Sequence, residues 1–80
     1  MRLDKFLKVS RLIKRRTVAN SVSDMGRVLV NGNSAKPGKQ LKIGDIIEIE
    51  YANRTEKIEV LITPSGNVSM QEAESLYRIL

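Results

Sequence analysis

Gly26-Arg27-Val28-Leu29-Val30-Asn31-Gly32 is the stretch on which the fold turns. On its N-terminal side, Val18, Val22 and Met25 fall at i, i+4 and i+7, with Ala19 beside them. That spacing predicts a helix over residues 16–25, and Gly26 stands where a helix-ending glycine belongs. Within the stretch, Val28 and Val30 alternate with Arg27 and Leu29, the period of a strand. Asn31-Gly32 then tolerates positive φ at two successive positions and signals a tight hairpin. A helical pattern therefore hands over to an extended one within seven residues. The chain reads as α+β.

The extended pattern continues downstream. Residues 33–40 read as a loop with short strand character, broken by Pro37-Gly38, and Ile43-Gly44-Asp45 is a second turn. Ile46-Ile47-Glu48-Ile49-Glu50-Tyr51 is a strand. Ala52-Asn53-Arg54 turns the chain into an antiparallel partner over residues 55–62, with Ile58, Val60 and Ile62 on one face. Residues 63–67 read as a linker. Ser69-Met70-Gln71-Glu72 matches a capping box, and Ala73, Leu76, Tyr77 and Leu80 recur at helical spacing. A short C-terminal helix is expected there.

Upstream, Leu3, Phe6 and Leu7 share one helical face and predict a first helix over residues 4–10, with Asp4 near its start. Arg2, Lys5, Lys8, Arg11 and Lys14 recur every third residue. On an uninterrupted α-helix that repeat drifts about 60° per step. It reaches one surface only if the helix ends near Ser10 and the chain turns. Seven of the fourteen Lys and Arg residues lie in the first sixteen positions. Residues 1–42 hold eleven of them against two acidic residues, and residues 43–80 hold three against seven. One polyanion-binding face and a neutral or acidic back follow from that asymmetry, with nucleic acid as the first candidate.

Composition removes other functions. With neither Cys nor His, the chain has no disulfide, no Cys/His zinc site and no histidine-based triad. The acidic residues show no calcium-loop spacing, and there is no P-loop. Phe6, Tyr51 and Tyr77 are the only aromatics, too few for a base-stacking sheet. No apolar run approaches the roughly 18 residues of a membrane span. No enzymatic activity, cofactor or metal is expected.

The ordered set Arg2-Leu3-Asp4-Lys5-Phe6-Leu7, Arg16-Thr17-Val18-Ala19, Gly26 to Gly32, Lys36-Pro37 and Gly44-Asp45-Ile46-Ile47 resembles the S-four RNA-binding domain, named after the fourth protein of the small ribosomal subunit. The resemblance covers roughly residues 1–62. It implies two N-terminal helices packed on a small, mostly antiparallel sheet (the alpha-L motif), with residues 63–80 as a linker and short C-terminal helix. The string Met1 to Thr17 is most similar to the small stand-alone branch acting in ribosome-associated quality control, related to the fifteen-kilodalton heat-shock proteins. That likeness implies a monomeric, cytoplasmic, ribosome-associated protein. Its implied partners are large-subunit rRNA, peptidyl-tRNA and RqcH on the same 50S particle, where it would support C-terminal alanine tailing by stabilising P-site tRNA. Two alternatives stand beside it: a heat-shock-type subunit recycling factor, and a trans-acting accessory of an RNA-modifying or aminoacylating enzyme.

The resemblance places the two N-terminal helices against RNA. Arg2, Lys5, Arg11, Lys14, Arg15 and Arg16 are the leading contacts, since guanidinium groups fork onto phosphates and lysines act as point charges. The competing reading is a solvated cationic face, and it weighs most on Lys8. Thr17 and Asn20 are candidate hydrogen-bond donors to RNA, with a helix cap as the favoured reading of Thr17. Asp4 is read as structural, capping its helix and orienting a neighbouring Arg. Lys36, Lys39 and Lys42 either extend the basic surface or form a soluble lysine-rich loop. Phe6 is assigned to the core, not to base stacking.

Overall fold

The computed structural model describes residues 1–66 and 68–80. Asn67, the last residue of the expected linker, lies outside them. Two helices come first, α1 (Leu3–Val9) and α2 (Arg16–Asp24). Strands β1 (Val28–Val30), β2 (Asn33–Ser34), β3 (Ile46–Glu50) and β4 (Thr55–Val60) follow. A short helix α3 (Met70–Ala73), a 3₁₀ turn (Glu74–Leu76) and strand β5 (Tyr77–Ile79) complete the chain. The sheet order is β2-β1-β3-β4-β5, and every neighbouring pair is antiparallel.

Register places the alternating apolar residues on one face. Val28 pairs with Ile49 and Val30 with Ile47, while Ile47 pairs with Ile58. All five are buried, as are Leu3, Phe6 and Leu7 of α1. These side chains form one core with Ala19 and Leu76. The opposite face is polar and largely self-neutralised: Lys57 lies 3.9 Å from Glu48, and Arg78 pairs with Glu59. The surplus positive charge is thereby left to the helical side.

The turns form where the sequence places them. Asn31 and Gly32 have φ of 52° and 86°, and Gly26, ending α2, has φ of 80°. Only glycine adopts that region freely, with asparagine the least costly of the others.

Three elements differ from expectation. The strand expected to run through Ile62 ends at Val60, and Ile62 is exposed instead of sharing the buried face of Ile58 and Val60. The buried positions of α2 are Ala19 and Ser23, not the Val18–Val22–Met25 stripe. Val18 and Met25 are exposed and Val22 is half-buried. Small residues at i and i+4 face inward where α2 packs on α1, and the Ser23 hydroxyl donates to the Ala19 carbonyl at 2.8 Å, which satisfies it in the core. The C-terminal helix is also shorter than its spacing predicts. The capping box forms, with the Glu72 N–H donating to Ser69 Oγ at 3.2 Å, but helical structure ends at Leu76. Tyr77–Ile79 instead pairs with β4, Val60 opposite Tyr77 and Ile58 opposite Ile79. An isolated helix of a few residues is marginal, and β4 has an edge to fill.

Candidate nucleic-acid interface

The N-terminus of α1 is bound by a loop distant in sequence. The Leu3 N–H donates to the Lys39 carbonyl at 2.8 Å and the Asp4 N–H to the Pro37 carbonyl at 3.1 Å. The Leu41 N–H donates to the Met1 carbonyl, and Arg2 bridges to Gln40. Amides that a helix start leaves free are satisfied in this way. The same bonds hold the Lys36–Lys39 loop beside Arg2, whose guanidinium passes close to Gly38.

Asp4 is the centre of the arrangement. It is 2% exposed, and it accepts from four donors. Arg2 grips both oxygens, Nε to Oδ1 at 3.2 Å and Nη2 to Oδ2 at 3.4 Å. Arg16 Nε lies 3.4 Å from Oδ2. Asn20 Nδ2 donates to Oδ2 at 3.3 Å, and the Lys5 N–H to Oδ1 at 2.8 Å. One buried carboxylate thus ties the residue before α1 to the first two turns of α2. About half of each guanidinium side chain, 48% for Arg2 and 49% for Arg16, remains exposed. The remaining donors of each are free to engage a ligand while Asp4 sets where they stand.

Burial alone would raise the Asp4 pKa. The Asn20 amide, the Arg16 charge and the Lys5 N–H outweigh it and hold the carboxyl below its ordinary value of 3.8. The sign is therefore that of a depressed acid. Its contribution to stability is complete above about pH 4 and is lost as pH falls through the lower folded value. Acid unfolding of Asp4→Asn, followed by circular dichroism, is expected to lack this component and to show a flatter stability profile below pH 4 than wild type.

The other predicted residues fall into separate groups. Thr17 lines a hollow with Asp4, Arg16, Asn20 and Ser21. It is not the helix cap: Arg15 occupies the cap position of α2, in extended conformation and without a side-chain cap bond. Arg15 is exposed, and Lys5 is partly covered. Arg11 and Lys14 line a different hollow at the far end of α1, together with Lys8, Val9 and Val68. Lys36 and Lys39 lie with the β1–β2 hairpin, and Lys36 is 3.6 Å from Asp24. Lys42 is exposed and its N–H donates to Asp45. Lys8 lines the hollow at the far end of α1 with Arg11, three residues on, and Val68 reaches it from a segment that no local pattern connects to α1.

The S4 domain family profile matches residues 1–47, which include both helices, Asp4 and its partners. This chain belongs to the S4 domain family. The chain is similar over its full length to a protein of Listeria innocua named RQC P-site tRNA stabilizing factor, at 51% identity and 86% of that protein's length. A protein of the same name from Bacillus subtilis is 45% identical over 100% of this chain and 92% of its own. Among solved structures, the trimeric heat shock protein 15 of Vibrio cholerae superimposes with a TM-score of 0.90, at 32% identity, over 100% of this chain and 81% of that one. The α+β S4 architecture expected from the sequence is thus the one adopted. Among the described residues no helix is long and apolar enough to cross a membrane, and no group of three or more carboxylates is placed to hold a metal ion.

Proposed function

We propose that this chain is a non-enzymatic RNA-binding factor of ribosome-associated quality control. It binds obstructed large ribosomal subunits through rRNA and peptidyl-tRNA. By stabilising the P-site tRNA it supports C-terminal alanine tailing by RqcH on the same particle. The observation that carries this reading is the pair of half-exposed guanidiniums, Arg2 and Arg16, fixed by buried Asp4. They lie within a chain similar over its whole length to proteins named for stabilising P-site tRNA. Lys5, Arg15, Thr17, Asn20 and the Lys36–Lys39 loop border the pair and act as supporting contacts. Recognition rests on phosphate and shape, because the chain offers no aromatic platform for unstacked bases. The protein acts in the cytoplasm, on the ribosome.

A subunit-recycling role is favoured by one observation, the likeness to heat shock protein 15. The higher identity to the tRNA-stabilising proteins sets it second.

Affinity purification from cells separates these readings. Tagged wild type is expected to recover 50S particles carrying peptidyl-tRNA, and an Arg2→Ala, Arg16→Ala variant to lose them by at least tenfold. Recovery of vacant subunits would favour recycling. Recovery of an enzyme with free tRNA and no ribosomal particle would overturn the proposal.

A further inference from the structure

We infer that the turn between α1 and α2 forms a second phosphate-binding site for RNA, separate from the Asp4-centred pair and walled on one side by the C-terminal segment. This inference rests on the proposed RNA-binding reading and deepens it.

Three observations converge on the turn. Lys8, Arg11 and Lys14 line one hollow of about 270 Å³. None of the three has an ion pair or a side-chain hydrogen bond among the described residues. Three cations gathered without a counter-charge repel one another, and an anion between them relieves that repulsion. Lys8 alone has another explanation, since a cation in the last turn of a helix complements its dipole. Arg11 and Lys14 lie beyond the helix and have none.

Backbone conformation supplies the second observation. Arg11 follows the C-cap of α1 with φ of 62°, the left-handed position where glycine is the favoured residue. A long cationic side chain is held there against local preference, and strain of this kind concentrates at functional positions.

The third is the wall. Val68 is half-buried, packs against the core and lines the same hollow. It lies outside residues 1–47, the part matched by the family. An apolar wall beside like charges focuses their field on whatever enters. Residues 63–80 therefore belong to the binding surface through Val68, besides completing the sheet through β5. The turn hollow shares no residue with the Asp4 hollow, and the two stand about 10 Å apart along α1. RNA is thus gripped at both ends of the helix.

The test uses the full chain with a short A-form RNA hairpin, followed by NMR and by fluorescence anisotropy. The Arg11 Nε–Hε and Val68 methyl resonances are expected to shift on adding RNA, together with those of Arg2 and Arg16. Arg11→Gly is expected to melt no lower than wild type, because glycine suits the left-handed backbone. It should nevertheless bind the hairpin at least threefold more weakly, with a salt slope reduced by about one. Lys14→Ala, which leaves the turn backbone alone, is expected to weaken binding similarly. Shifts confined to Arg2, Arg16 and Asn20, or an Arg11→Gly protein with wild-type affinity and slope, would overturn the inference. So would equal shifts of the turn resonances with sodium phosphate alone, which would reassign the site to free phosphate. Turn shifts with RNA alongside a failure to recover 50S particles would sustain the second site and defeat the ribosomal reading.

Discussion

Asp4→Ala is expected to cost about 2–3 kcal/mol of stability and to weaken RNA binding by at least tenfold. The stability loss follows from stranding four donors around a buried site. Hydrogen bonds to a charged group contribute about 1.5–3 kcal/mol each at full burial, and the half-exposed arginines discount that figure. An 80-residue domain holds roughly 4–12 kcal/mol in total, so most of the variant remains folded at room temperature, and a urea titration reads the loss directly.

The functional half of this prediction is sharper with Asp4→Asn. That change keeps the side chain's shape and raises the net charge by one. If bulk attraction alone governed RNA binding, affinity would rise. If Asp4 acts by fixing Arg2 and Arg16 at 3.2 and 3.4 Å, affinity falls although the protein has become more positive. Anisotropy with a labelled RNA hairpin distinguishes the two signs.

Phe6→Ala is expected to cost about 3–5 kcal/mol, enough to leave a large unfolded fraction near physiological temperature. Phe6 is fully buried, the largest of the side chains that are, and it sits where α1 meets the sheet's inner face. Its truncation leaves a cavity that Leu3, Leu7 and the surrounding strands cannot close. Phe6→Leu is expected to cost less than about 1.5 kcal/mol and to leave RNA affinity unchanged. A selective loss of RNA binding in the folded Phe6→Leu protein would reassign the ring to base stacking, against its burial.

The contrast between these residues shows what a single sequence carries. Phe6 was legible because its partners Leu3 and Leu7 lie within one helical face. The turns at Gly26, Asn31-Gly32 and Gly44 were legible because positive φ, observed at all four, is a local demand with a short list of residues that meet it. Asp4 was legible as a local cap and as the orienter of a neighbouring arginine, which Arg2 proves to be. Its distant partners, Arg16 and Asn20, lie 12 and 16 residues away, and no local rule brings them to it.

The same limit explains α2 and the C-terminus. Hydropathy chose the valines of α2 as its buried face, but close packing on α1 selects the smaller Ala19 and Ser23. Helical spacing carried Ala73 and Leu76 correctly into the core. It then ran on through Tyr77, where pairing with β4, remote in sequence, prevailed. The basic block was visible from composition. Its division into an Asp4-tethered pair and a separate turn cluster appears only once α1 ends and Arg11 turns the chain.

The proposed grip of Arg2 and Arg16, held by Asp4, on RNA phosphates of the large subunit is the central claim. Its most direct test is the salt dependence of binding to isolated 50S particles carrying peptidyl-tRNA. Neutralising about four to six phosphates predicts a log–log slope of about −4 to −5, and Arg2→Ala, Arg16→Ala should make it shallower by about two. A wild-type affinity that stays flat between low and moderate salt, or a double variant with an unchanged slope, would contradict the account.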